Sequence, residues 1–185
     1  MKKIVVGISG ASGMPLAIKL LKELHHHDVQ IHLVMSKGAQ ITFAQECQES
    51  LEDVYALADV IYDNDHIGAA IASGTFEVDG MIVIPCSMKT VAGIRSGYSD
   101  HLLLRACDVM IKEKRPLILV TRESPLSSIH LDNLAYLSHI PNVMIMPPMM
   151  TYYQKPQTIE DMEIHLIGKI LSQFDISVKE FQRWK

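Results

Sequence analysis

Ile4-Val5-Val6-Gly7-Ile8-Ser9-Gly10-Ala11-Ser12-Gly13-Met14-Pro15 is the stretch on which the fold turns. Ile4–Ile8 is a β-branched run interrupted only by glycine, which reads as a strand buried on both faces. Small residues follow, and Pro15 suits the first turn of a helix. Leu16, Leu20 and Leu24 then recur at helical spacing as far as His25. Strand, glycine-rich turn and helix therefore meet within about twenty residues, as in one half of a βαβ unit.

The same alternation continues outward. Ile31–Met35, Met81–Ile84, Leu117–Val120 and Val143–Met146 read as further strands. Helices are expected over Ala39–Glu49, Leu102–Lys114 and Ile129–His139. Leu103, Ala106, Val109 and Met110 are the expected buried face of the second of these. Ile159, Met162, Leu166, Ile170 and Phe174 make one apolar stripe on a last helix. Strands separated by helices of this length imply a parallel sheet with right-handed crossovers. The expected fold is an open, doubly wound α/β sheet with its ligand at the carboxyl ends of the strands. Residues 1–185 are expected to form one domain.

Composition narrows the function. The 185-residue chain is 48% hydrophobic and 21% charged with a net charge of -4, which excludes a disordered chain and argues against a basic nucleic-acid module. Its three cysteines (Cys47, Cys86, Cys107) are too scattered for a disulfide framework and fit a reducing, cytoplasmic setting. The apolar run after Lys2-Lys3 is too short for a signal-peptide core, and no stretch has the ~20 apolar residues of a membrane span. Eleven methionines against eleven aromatic residues imply a thioether-rich core or interface.

The strand-end rule directs attention to four loops, at 9–15, 36–38, 85–97 and 121–128. The first has G-x-x-G-x-x-G spacing, which misses the dinucleotide fingerprint, and the second strand ends in Met35-Ser36-Lys37 without the acidic residue a ribose would need. A phosphate or ribityl chain read by Ser12 and Ser36, with helix N–H groups aimed at the anion, stays open beside a turn needed only for packing. In the third loop, Ser87, Met88, Lys89 and Thr90 follow a strand, and Gly93 and Gly97 permit close backbone contact. Cys86 is expected to be a buried thiol. Arg122 and Glu123 sit at the end of an apolar strand, where charge is costly unless used. His25-His26-His27 and Lys112-Glu113-Lys114-Arg115 read as solvated helix ends, and no metal-ligand pattern is present.

Taken in order, the loops resemble the UbiX/Pad family of flavin prenyltransferases. The carrying stretches are Val6–Gly13, His32–Lys37, Ile84–Thr90, Lys112–Leu117, Arg122–Leu126 and Met146–Pro148. Met88–Arg95 and Pro125–Leu131 look most like the branch that accompanies hydroxyarylic-acid decarboxylases. The resemblance implies a flavodoxin-like, Rossmann-like doubly wound sheet in three α/β/α layers. It implies reduced FMN and dimethylallyl monophosphate as substrates, no metal, a homododecamer, and a UbiD-type decarboxylase that receives prenylated FMN. Carried over by position, Gly10, Ala11, Ser12, Ser36, Ser87, Met88, Lys89, Thr90 and Arg122 would hold the flavin. Arg105, Lys112, Glu123, Tyr153 and Lys169 would meet the prenyl phosphate, and Glu46, Glu123, Lys112 and Ser12 would be the catalytic set. Lys169 stands where the family pattern has arginine, which keeps the charge and loses the bidentate fork. Two other readings are a flavin-dependent decarboxylase of an aromatic acid or cysteinyl peptide, and a non-catalytic FMN carrier. The P-x-M-N-x-x-M-W stretch of the cysteinyl decarboxylases is met here by Pro148-Met149-Met150-Thr151-Tyr152-Tyr153, without the asparagine.

Overall fold

Alternate side chains of the first strand feed opposite helix layers. In the computed structural model, which describes residues 1–181, β1 spans Lys2–Ile8. Ile4, Val6 and Ile8 pack into one core, and Val5 into the other. Parallel pairing on both sides places β1 between β2 (Val29–Met35) and β4 (Gly80–Cys86). With β3 (Val60–Tyr62), β5 (Leu117–Thr121) and β6 (Val143–Ile145), the sheet order is β3-β2-β1-β4-β5-β6. All five pairings are parallel. This is the doubly wound order whose direction reverses between β1 and β4, so the crevice opens above those two strands.

Helices cover both faces, giving the three-layer α/β/α architecture. On one face lie α1 (Met14–His25), α2 (Lys37–Glu46) and α7 (Ile159–Leu171). α1 buries Leu20, Leu21 and Leu24 completely, and each such side chain contributes about 1.5–3 kcal/mol relative to exposure. On the other face lie α4 (Met88–Ser96), α5 (Leu102–Lys112) and α6 (Ser128–Ser138). The four α5 residues expected to be buried are buried, together with Leu102, Leu104 and Cys107. Among the described residues, no helix is long and apolar enough to cross a membrane.

The structure departs from the sequence reading at four places. β3 was not expected: it is a three-residue edge strand with Ile61 exposed, so it carries no buried run to betray it. Residues 88–96, read as loop, are helix α4. Thr90, Val91 and Gly93 are weak helix formers, and the helix is stabilised instead by its Ser87 cap and by packing on α5. Gly93 and Gly97 serve that helix rather than a ligand. A Cβ on Gly93 would lie 2.8 Å from Leu104 of α5, and Gly97 ends α4 in the left-handed region at φ 68°. α2 stops at Glu46, because Cys47 is extended, and a short α3 (Leu51–Tyr55) begins after a Ser50–Asp53 capping box. α7 stops at Leu171. Phe174 is buried from a following 3-10 turn, and Ile159 is exposed at the helix start.

Candidate functional site

Ser9, the residue directly after β1, staples the two strands that bound the crevice. Its N–H and its hydroxyl both donate to the Pro85 carbonyl, at 3.2 and 3.0 Å, and its Oγ accepts the Ser87 N–H at 2.8 Å. The hydroxyl is buried, so these bonds are protected from water. Gly10 follows with its Cα against the backbone of Gly38; a Cβ there would stand 2.8 Å from the Gly38 carbonyl carbon. The missing side chain is therefore used to bring the start of α2 onto the β1 turn.

That approach forms a groove of about 510 Å³ lined by Gly10, Ser36, Ser87, Met88, Lys89, Thr90 and Glu123, among others. Among the helices that begin on it are α2 and α4. Ser36 caps α2 by accepting the Ala39 N–H at 3.1 Å, and Ser87 caps α4 by accepting the Thr90 N–H at 3.3 Å. The Ser87 and Thr90 hydroxyls lie 3.1 Å apart. First-turn N–H groups have no partner within their own helix, and helix N-termini carry partial positive charge. The groove thus offers hydroxyls and oriented amides suited to an anionic, polyhydroxylated ligand.

Its far wall contains residues that sequence reading missed. Asn64, after β3, accepts the Leu102 N–H on its backbone carbonyl at 2.8 Å and the Leu103 N–H on Oδ1 at 3.0 Å, fixing the start of α5. Asp65 pairs with Lys37 at 2.6 Å across the groove rim, which raises the lysine pKa through their hydrogen bond and then through charge. His101 caps α5 through Nδ1. Burial holds its imidazole below the ordinary value; Asp100 opposes this and Lys89 adds to it. The signal that could have found this wall is Val60-Ile61-Tyr62 followed by Asp63-Asn64-Asp65, a short strand with turn formers behind it.

At the N-terminus of α1, for which the sequence left both an anion site and a packing turn open, the Gly13 and Met14 N–H groups already have an acceptor within the protein. Glu46 Oε2 accepts from both Gly13 N and Met14 N at 2.9 Å. Pro15 has no N–H, and Leu16 N bonds to the Gly13 carbonyl. The protein's own carboxylate occupies the place an anion would take. Burial alone would raise the Glu46 pKa. The hydrogen bonds from Ser12, Gly13 and Met14, with the charge of Arg122, outweigh it and leave the carboxyl below its usual value. Ser12 is tied to Glu46 in this way, Ala11 bonds to the Ser9 carbonyl at 2.9 Å, and Arg122 and Glu123 are exposed.

The residues assigned to a prenyl phosphate are not together in one chain. Tyr153 and Lys169 line a second cavity of about 540 Å³, whose apolar wall includes Leu16, Met146, Pro147 and Ile170. Glu123 faces the first groove instead. Arg105 and Lys112 lie on α5 and line neither cavity. Arg105 donates to the Ala72 carbonyl and pairs with Asp108 at 2.6 Å, while Lys112 pairs with Glu113. Burial pushes the Cys86 and Cys107 thiols far up, so neither is a nucleophile. Among the described residues, no group of three His, Cys, Asp or Glu is placed to hold a metal.

A doubly wound sheet with helix N-termini at its switch crevice can hold a phosphate-bearing ligand. A model of the flavoprotein family matches residues 1–172. Within it, the chain belongs to the UbiX-like flavin prenyltransferases. It is 50% identical to the flavin prenyltransferase LpdB of Lactiplantibacillus plantarum over 186 residues, covering 100% of this chain and 99% of that one. Among solved structures it is similar to AnUbiX (PadA1) in complex with FMN and dimethylallyl pyrophosphate, at 44% identity and a TM-score of 0.97, over 100% of this chain and 97% of that one. It is also similar to a dodecameric FMN-dependent UbiX-like decarboxylase from Escherichia coli O157:H7, at 48% identity and a TM-score of 0.96, over 99% of both chains.

Proposed function

We propose that this protein joins the dimethylallyl group of dimethylallyl monophosphate to N5 and C6 of reduced FMN and passes prenylated FMN to a UbiD-type decarboxylase. The observation that carries the reading is the pairing of a hydroxyl-rich groove under two helix N-termini with an apolar cavity walled by Lys169 and Tyr153. The whole 185-residue chain acts as one domain, in the cytoplasm, where its free thiols stay reduced.

The groove residues fit the flavin. Ser36, Ser87 and Thr90, the backbone from Gly10 to Ser12, Met88, Lys89 and Arg122 hold its phosphate, ribityl chain and ring edge. Reduced flavin supplies the nucleophilic N5 and C6. The allylic C–O bond to phosphate breaks and a C–N bond forms as N5 loses its proton. The allyl double bond then takes up a proton, a C–C bond forms to C6, and the C6 proton leaves, so that one proton departs overall with the released phosphate. Tyr153 and Lys169 bind the departing phosphate, with Arg105 and Lys112; cations there stabilise the charge that develops as the bond breaks. Apolar walls keep water from the allyl group. Of the two carboxylates, Glu123 is the better proton acceptor. Glu46 has one oxygen engaged by two N–H groups and a lowered pKa, which makes it a weak base. Its role is to hold Ser12 and the β1 turn.

Twelve copies assemble, as in the Escherichia coli structure. Met149, Met150, Tyr152 and Tyr153 are 60–71% exposed in the single chain, and α6 leaves Ile129 and Leu131 uncovered; patches of this kind mark subunit contacts. Arg105 and Lys112 then reach the phosphate from another copy.

The test is product mass. Protein, reduced FMN and dimethylallyl monophosphate are mixed without oxygen, and the flavin is expected to gain one prenyl unit. Bound but unchanged FMN overturns the transferase reading, and carbon dioxide release from a phenolic acid by this protein alone replaces it with a decarboxylase. Glu123→Gln is expected to retain FMN and slow transfer about 10²-fold or more, the usual scale of a lost general base.

A further inference from the structure

His165 and Lys169 are four residues apart on α7, one helical turn, and so share a face. Both line the 540 Å³ cavity with Tyr153. No carboxylate is among the described residues that line it, so its two basic groups stand without an internal counter-ion there. His165 is half-buried, and among the described residues neither ring nitrogen has a hydrogen-bond partner. Its ring is held by Phe181, with centroids 5.2 Å apart at 55°. Gly168 makes room for that contact, since a Cβ there would fall 2.4 Å from the Phe181 ring. The imidazole is thus seated by packing, and its polar edge has no hydrogen-bond partner among the described residues.

We infer that His165 is a second anchor for the phosphate of the allylic substrate, gripping it together with Lys169. The inference rests on the prenyl-transfer reading for the identity of the ester. A lysine ammonium is a mobile point charge without a planar fork. An imidazole N–H one turn away supplies the second, directed donor that a tetrahedral anion needs to be held in one orientation. The five-carbon tail then lies along Leu16, Met146, Pro147 and Ile170.

His165→Phe keeps the packing against Phe181 and removes both nitrogens; His165→Gln restores a donor. In the full-length protein, His165→Phe is expected to raise KM for dimethylallyl monophosphate about tenfold, the size of one hydrogen bond to a charged group. kcat and FMN affinity are expected to stay within about twofold, and Gln to recover part of the loss. Unchanged KM, or equal loss in both variants, overturns the assignment. Calorimetric binding of inorganic phosphate by the FMN-free protein separates this from failure of the transfer reading. About tenfold weaker binding by His165→Phe is expected whether or not transfer is observed, and binding equal to the parent protein overturns the inference.

Discussion

The turn after β1 and the turn after β4 look alike as sequence: each is a strand followed by small and hydroxyl residues and then a helix. Their chemistry differs because of one side chain from elsewhere. At the first, Glu46 takes the Gly13 and Met14 N–H groups, and the helix end is closed. At the second, Ser87 caps Thr90, and the first turn of α4 opens on the groove beside the start of α2. A helix N-terminus is an anion site only while no internal carboxylate has claimed it. The helix end behind the more ligand-like glycines is closed, and the helix end in the stretch read as a loop stays open to the groove.

The contrast can be broken most severely at Gly10. Gly10→Ala places a methyl 2.8 Å from the Gly38 carbonyl carbon, where backbone cannot yield as a side chain can. Overpacking of this kind costs about 1–3 kcal/mol. Because the displaced element is the start of α2, FMN affinity is expected to fall more than melting temperature; flavin fluorescence titration beside thermal denaturation checks both. Unaltered FMN binding would show that the approach of α2 does not shape the groove.

Glu46→Ala reopens the closed helix end. Two half-buried donors lose their acceptor, for an expected loss of about 1–3 kcal/mol in denaturant unfolding. The sign with pH follows from the lowered pKa. Glu46 contributes stability fully above its ordinary value of 4.5, and loses it as pH falls toward the lower folded value. The parent protein's advantage over Glu46→Gln should therefore be constant near neutrality and shrink below pH about 4.5. An advantage that grows in acid would contradict the capping role.

The smallest expected effect is at the open end. Ser87→Ala removes the α4 cap and costs about 1 kcal/mol. It also takes a hydroxyl from the groove, so FMN binding should weaken by more than that loss of stability explains. A purely structural Ser87 would shift stability and leave FMN affinity as it was.

How much could be read in advance follows from what each element rests on. β1, β2, β4 and β5 are buried on both faces, and continuous runs such as Leu117–Val120 announce that without help. β3 depends on pairing to β2 at an exposed edge, and α4 on a cap and on Leu104 packing over Gly93. Neither dependence leaves a periodic mark. For the site, Ser36, Ser87 and Thr90 were legible because hydroxyls after strands of a doubly wound sheet point to its switch crevice. Ser9 and Asn64 were not, because the N–H groups their side chains accept lie 78 and 39 positions away.

Residue order alone carries the alternation of strands and helices, the absence of a dinucleotide fingerprint, and the motifs on which the family resemblance rests. These are local facts, encoded in residue type and spacing. Folding is what leaves one helix N-terminus closed and another open, sets Arg105 and Lys112 apart from Tyr153 and Lys169 within one chain, and puts His165 on the same cavity as Lys169. The physical reason is that an N–H group or a cation takes its role from the nearest opposite charge, and that neighbour is set by packing across the sheet, at distances along the chain no local pattern records.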